Sequence, residues 1–114
     1  SGVNPKIWFS LTNNGSEDCG FNVGAKVQFF TITSGEEQVW TSRQCDRSGL
    51  EDTVINLPAG ETLVGPALEW YRVASTDGGC GPEQKPVLAG GASYHLSVEV
   101  NGVVSANDVQ FVLD

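Results

Sequence analysis

Apolar residues in this chain recur mostly at every second position, in short runs broken by clusters of Gly, Pro, Asn or Ser. That is the signature of short antiparallel strands rather than of helices. Ile7, Phe9 and Leu11 fall on one face of a first strand, which Asn13-Asn14-Gly15-Ser16 ends with turn chemistry. On the same alternation Trp8 lies on the opposite face and looks outward or under a loop. Residues 21–23 make a short second strand, and residues 26–33 pair with 38–42 in a hairpin around Ser34-Gly35-Glu36. Residues 53–57 alternate again, and Pro58-Ala59-Gly60 turns the chain. Residues 62–71 are extended but interrupted by Gly65-Pro66; Pro66 has no amide hydrogen for a central ladder, so an edge strand or a bulge is expected there.

The strongest local signal spans residues 93–104, where Tyr94, Leu96, Val98 and Val100 share one face and Asn101-Gly102 supplies the residues of a type I′ turn. Val109, Phe111 and Leu113 close the sheet with a last alternating strand, whereas residues 75–91, rich in Gly and Pro, read as a long irregular loop. Trp40 and Trp70 alternate with polar neighbours and are expected in the core. The whole pattern predicts an all-β fold, an Ig-like antiparallel β-sandwich of about seven to nine strands.

A chain of 114 residues has room for one domain. Residues 3–114 are read as that domain and Ser1-Gly2 as the remnant of a cleaved tag, so that any targeting segment belongs to a longer parent protein. Fourteen acidic against six basic residues give a net charge of −8. This charge repels phosphate backbones and anionic membranes, so no nucleic-acid partner is expected. No run approaches the ~20 apolar residues of a membrane span.

Cys19, Cys45 and Cys80 lie far apart, with none of the C-x-x-C spacing of a zinc or thioredoxin-type site. Cys45 follows the Trp40 strand and Cys80 sits in the Gly-Pro loop, so a Cys45–Cys80 bridge stapling two irregular segments is the preferred pairing. It would suit an oxidising compartment. Three reduced cysteines in a cytosolic protein remain the alternative. In the first case Cys19 is left as a buried thiol or an intermolecular linker.

The residues for catalysis are scarce. His95 is the single histidine, placed beside Ser93 and Ser97 but on the polar face of its strand, and is read as a surface residue rather than a base. Glu17-Asp18, Glu36-Glu37 and Glu51-Asp52 fall in expected turns, where adjacent carboxylates are solvated; no D-x-D-x-D-G calcium loop is present. Gly78-Gly79-Cys80-Gly81 and Gly90-Gly91 lack the lysine and the helix of a phosphate cradle. Asn14-Gly15-Ser16 matches a glycosylation sequon and equally a plain turn. No enzyme activity, cofactor or metal is expected. Trp8 and Tyr71 are the candidate binding surface, since aromatic faces stack on sugars or anchor protein interfaces.

The strings Leu11-Thr12-Asn13-Asn14-Gly15-Ser16-Glu17-Asp18-Cys19, Asn22-Val23-Gly24, Phe30-Thr31-Ile32-Thr33-Ser34-Gly35, Val39-Trp40-Thr41-Ser42 and Leu57-Pro58-Ala59-Gly60-Glu61-Thr62 fall between residues 11 and 62. In them the sequence resembles the extracytoplasmic domains of uncharacterised actinobacterial membrane-anchored or secreted proteins. That resemblance implies a cysteine after each of two Trp strands, matched by Cys45 after Trp40 and Cys80 after Trp70, and a location in the cell envelope. A weaker similarity runs to the Ig-like intracellular proteinase inhibitor type, through the Thr-Asn-Asn-Gly-Ser turn, the Val39-Trp40 strand and the Pro-Ala-Gly-Glu turn before a strand. The expected function is a non-catalytic, extracytoplasmic domain that binds an envelope protein or a segment of its parent chain. A cell-wall glycan module is the alternative and proteinase inhibition the second alternative.

Overall fold

The computed structural model describes residues 4–87, 92–105 and 109–113. The readings of Ser1-Gly2 and Gly90-Gly91 lie outside them. Among the described residues the strands are Lys6–Ile7 (β1), Ser10–Thr12 (β2), Cys19–Asn22 (β3), Gln28–Ser34 (β4), Glu37–Thr41 (β5), Val54–Leu57 (β6), Thr62–Val64 (β7), Leu68–Glu69 (β8), Ala92–Val100 (β9), Val103–Val104 (β10) and Val109–Leu113 (β11). All pairings are antiparallel.

One layer is a five-stranded sheet in which β9 pairs β4 on one edge and both β10 and β11 on the other, with β5 beyond β4. Along β9 Tyr94, Leu96, Val98 and Val100 are buried, as the alternation requires. Its hairpin turns on Asn101 (φ 49°) and Gly102 (φ 85°), the left-handed pair of a type I′ turn. The β4–β5 hairpin turns at Gly35.

The other layer is narrower. β1 pairs β8, β2 pairs β7 and β3 pairs β6, in registers that nearly continue one another: Lys6 faces Glu69, Ser10 faces Val64 and Cys19 faces Leu57. Between them the Asn13 amide donates to the Glu61 carbonyl and the Gly60 amide to the Asn13 carbonyl. These pieces form one interrupted two-stranded ribbon, from which residues 14–18 loop out. The expected break at Gly65-Pro66 divides β7 from β8, yet the Gly65 amide still donates to the Phe9 carbonyl. Strand β8 ends at Glu69, so Tyr71 stands beyond it, next to Arg72 with φ 59°.

The ribbon sends Ile7 and Phe9 into the core against Phe30, Ile32, Trp40 and the inner face of β9. Phe9 and Phe30 have ring centroids 6.5 Å apart. Trp70 is fully buried and meets Tyr94 and Phe111 edge-on at 5.5 and 5.9 Å. The fold is therefore an antiparallel β-sandwich. The eleven short strands among the described residues reduce to eight when β1 is joined to β2, β7 to β8 and β10 to β11.

Candidate binding surface

The disulfide Cys45–Cys80 is formed, with Cα atoms 4.9 Å apart. It fastens the stretch expected to be an irregular loop, whose described part is well tied down. The Ser75 amide donates to the Val39 carbonyl, the Thr41 amide donates to Ser75 Oγ, and Trp40 Nε1 donates to the Cys80 carbonyl at 3.0 Å. Val73 and Pro86 form a bridge beneath it. Residues 70–87 thus close the side of the sandwich where β5 would otherwise be an open edge. Beside the disulfide Gln44, Asp46, Asp77, Gly79 and Glu83 line a shallow cup. There the Ser48 hydroxyl and amide both donate to Asp46 and hold its carboxyl below the usual range.

Cys19 departs from one of its two expected states: it is an exposed thiol, not a buried one. It opens β3 directly after residues 14–18, which run exposed along the surface. Asn14 of the sequon is exposed in that loop, while Asn13 is bound there through Nδ2 to the Leu57 and Glu17 carbonyls. His95 lies on β9 between Thr33 and Gln110, its register neighbours.

Trp8 and Tyr71 are both exposed, at 54% and 44%, and they line separate concavities. Tyr71 borders one with Arg72, Val73, Pro82, Pro86 and Val87. Trp8 borders an open trough of about 490 Å³ between β1–β2 and β11, lined also by Lys6, Ser10, Val109, Phe111 and Val112. Farther along the same side, Val103 of β10 meets Leu11, Phe21 and Leu57 across a second hollow.

Val109 lies in the expected last strand but is left uncovered. It is opposite Leu96, and paired residues project to the same face of a sheet, so its side chain is on the core side. Leu96 is 8% exposed and Val109 61%. The alternation gave the right face, but the two-stranded ribbon does not extend far enough to cover it.

Main-chain polarity completes the site. The Phe9 carbonyl accepts from Gly65, the Pro5 carbonyl from Trp70, and Asn13 bonds to Gly60 and Glu61. In an antiparallel strand the amide and carbonyl of each residue point to one edge, and successive residues alternate. Those of Lys6, Trp8, Ser10 and Thr12 therefore point away from the ribbon partner, to an edge where no described strand pairs. Among the described residues the trough joins three features: an unpaired backbone edge, an exposed indole and a core-side valine left uncovered.

No family model, no curated protein and no solved structure matches this chain.

Proposed function

We propose that this chain is a non-catalytic, extracytoplasmic interaction domain of a cell-envelope protein and that it binds a protein partner. The observation that carries the reading is the open trough bordered by Trp8, Val109 and Val112, each of them half or more exposed. Apolar surface of this kind, rimmed by polar residues, marks interaction sites. The disulfide supports an oxidising compartment, and the net charge of −8 argues against nucleic acid. The resemblance to actinobacterial envelope domains supports the location.

The test is co-sedimentation of the purified domain with isolated actinobacterial cell walls, native or stripped of protein by protease. A protein partner predicts binding that is lost on stripping and lost again in Trp8→Ala. Binding that survives stripping would replace this reading with the glycan one, for which Trp8 and Tyr71 would have to serve as separate stacking sites. No binding to either preparation would remove the envelope partner altogether.

A further inference from the structure

We infer that the partner is held by strand addition: a basic, extended peptide segment with apolar side chains at alternate positions pairs with the edge of β1–β2 that no described strand occupies and covers Val109 and Phe111. This rests on the protein-binding reading above and adds its mode and the chemistry of the partner.

The two layers differ in width. The larger sheet is four strands across, because β10 and β11 share one edge of β9, and the ribbon is two. Strands are spaced by about 4.8 Å, so the ribbon falls roughly 10 Å short of its neighbour. On the β5 side residues 70–87 make up the deficit through the Ser75–Val39 and Trp40–Cys80 hydrogen bonds. On the β11 side no described segment does so, and core-side Val109 is left 61% exposed.

What fits there is specified by the walls. Lys6, Trp8 and Ser10 line this space with their backbone groups turned away from the ribbon partner, and an unpaired row of amides and carbonyls is completed by another strand. A strand in that position turns every second side chain toward Val109 and Phe111, so those must be apolar. The charge of the segment follows from the whole chain. At −8, this domain repels a second copy of itself and attracts a cationic segment.

The probe is a capped octapeptide of alternating valine and lysine, with two further versions N-methylated either on the lysine amides or on the valine amides. Strand addition places one parity of amides on the edge and the other in solvent. We expect the parent peptide to bind and shift the Trp8 fluorescence. One methylated version should lose at least about tenfold in affinity while the other stays within about threefold. Ser10→Pro removes one edge-facing amide at a site where an edge strand tolerates proline, and should also cost about tenfold. Since that variant could fail to fold, hydrogen exchange on the unaltered chain provides a second reading: peptide should slow exchange at Trp8 and Ser10. Absence of peptide binding, equal loss with both methylated versions, or unchanged exchange at those amides would overturn strand addition. So would dimerisation through this edge, which would make a second copy the occupant. The two ideas fail separately. Wall-protein binding lost in Trp8→Ala but intact in a folded Ser10→Pro overturns the mode and leaves the protein-binding reading standing.

Discussion

Gly24 is buried and has an ordinary extended backbone, with φ −64° and ψ 155°, so its lack of a side chain answers to space rather than to conformation. A Cβ there would run into the main chain of Glu51, Asp52 and Thr53, which cannot swing aside as a side-chain tip could. Gly102 is the reverse case: φ 85° with nothing near the missing Cβ. Gly24→Ala should therefore cost about 1–3 kcal/mol through overpacking, and Gly102→Ala about 1 kcal/mol through the left-handed backbone. Urea denaturation of the two variants measures both. Tyr94 gives a pH dependence. It is buried against Trp70 and Phe111, and burial raises its phenol above the ordinary 10.0 because the core disfavours tyrosinate. A group with a raised folded-state pKa stabilises fully below its unfolded value, and the contribution is lost as pH rises through the folded one. Stability should hold up to about pH 10 and fall beyond it, with tyrosinate absorbance rising as the protein unfolds. Tyr94→Phe should flatten that alkaline limb.

The segment from Trp70 to Val87 works as a side wall, and its fastening is the disulfide. Replacing Cys45 and Cys80 by serine frees the two ends of a closure spanning 35 residues. The loss should be on the order of 3–4 kcal/mol on the chain-entropy account. The damage should concentrate where the wall meets β5. Trp40, whose indole donates to the Cys80 carbonyl, should become accessible to a quencher before the Trp70 cluster does. At this scale the sequence was a good guide to individual strands. Asn101-Gly102 marked its hairpin, and Gly65-Pro66 marked the break between β7 and β8, because turn and breaker chemistry act over a few residues. Period-two alternation also placed Ile7, Phe9 and Tyr94 inward. It could not tell that Val109 would stay wet or that Cys19 would be exposed. A side chain's face is set by its own strand, but its coverage is set by elements far away in sequence. The regular pattern of β11 contains nothing about the width of the opposite layer, and the irregular stretch from Ser75 onward gave no sign that it would serve as a wall.

At the scale of the molecule, shape and charge make different demands on whatever fills the trough, and salt separates them. The trough itself is apolar, and burial of apolar surface is indifferent to ionic strength or mildly favoured by excluded salts. The excess of acidic residues acts over longer distances, within a screening length of about 10 Å at 0.1 M that contracts to about 3 Å at 1 M. If the field of a −8 chain helps to recruit a basic strand, affinity for the valine-lysine octapeptide should fall about tenfold between 0.05 and 0.5 M salt. The change should sit mainly in the association rate, since steering acts before contact. Val109→Lys changes the other demand. It puts a charge on the patch that the added strand must cover, at a position already 61% exposed. Its melting temperature should stay close to that of the parent chain while the peptide dissociates faster. Stopped-flow kinetics on both proteins across the salt series would read the two effects apart. Association that ignores salt would mean that the acidic surface plays no part in choosing the partner. Dissociation that ignores Val109 would mean that the exposed core-side face is not what the partner covers.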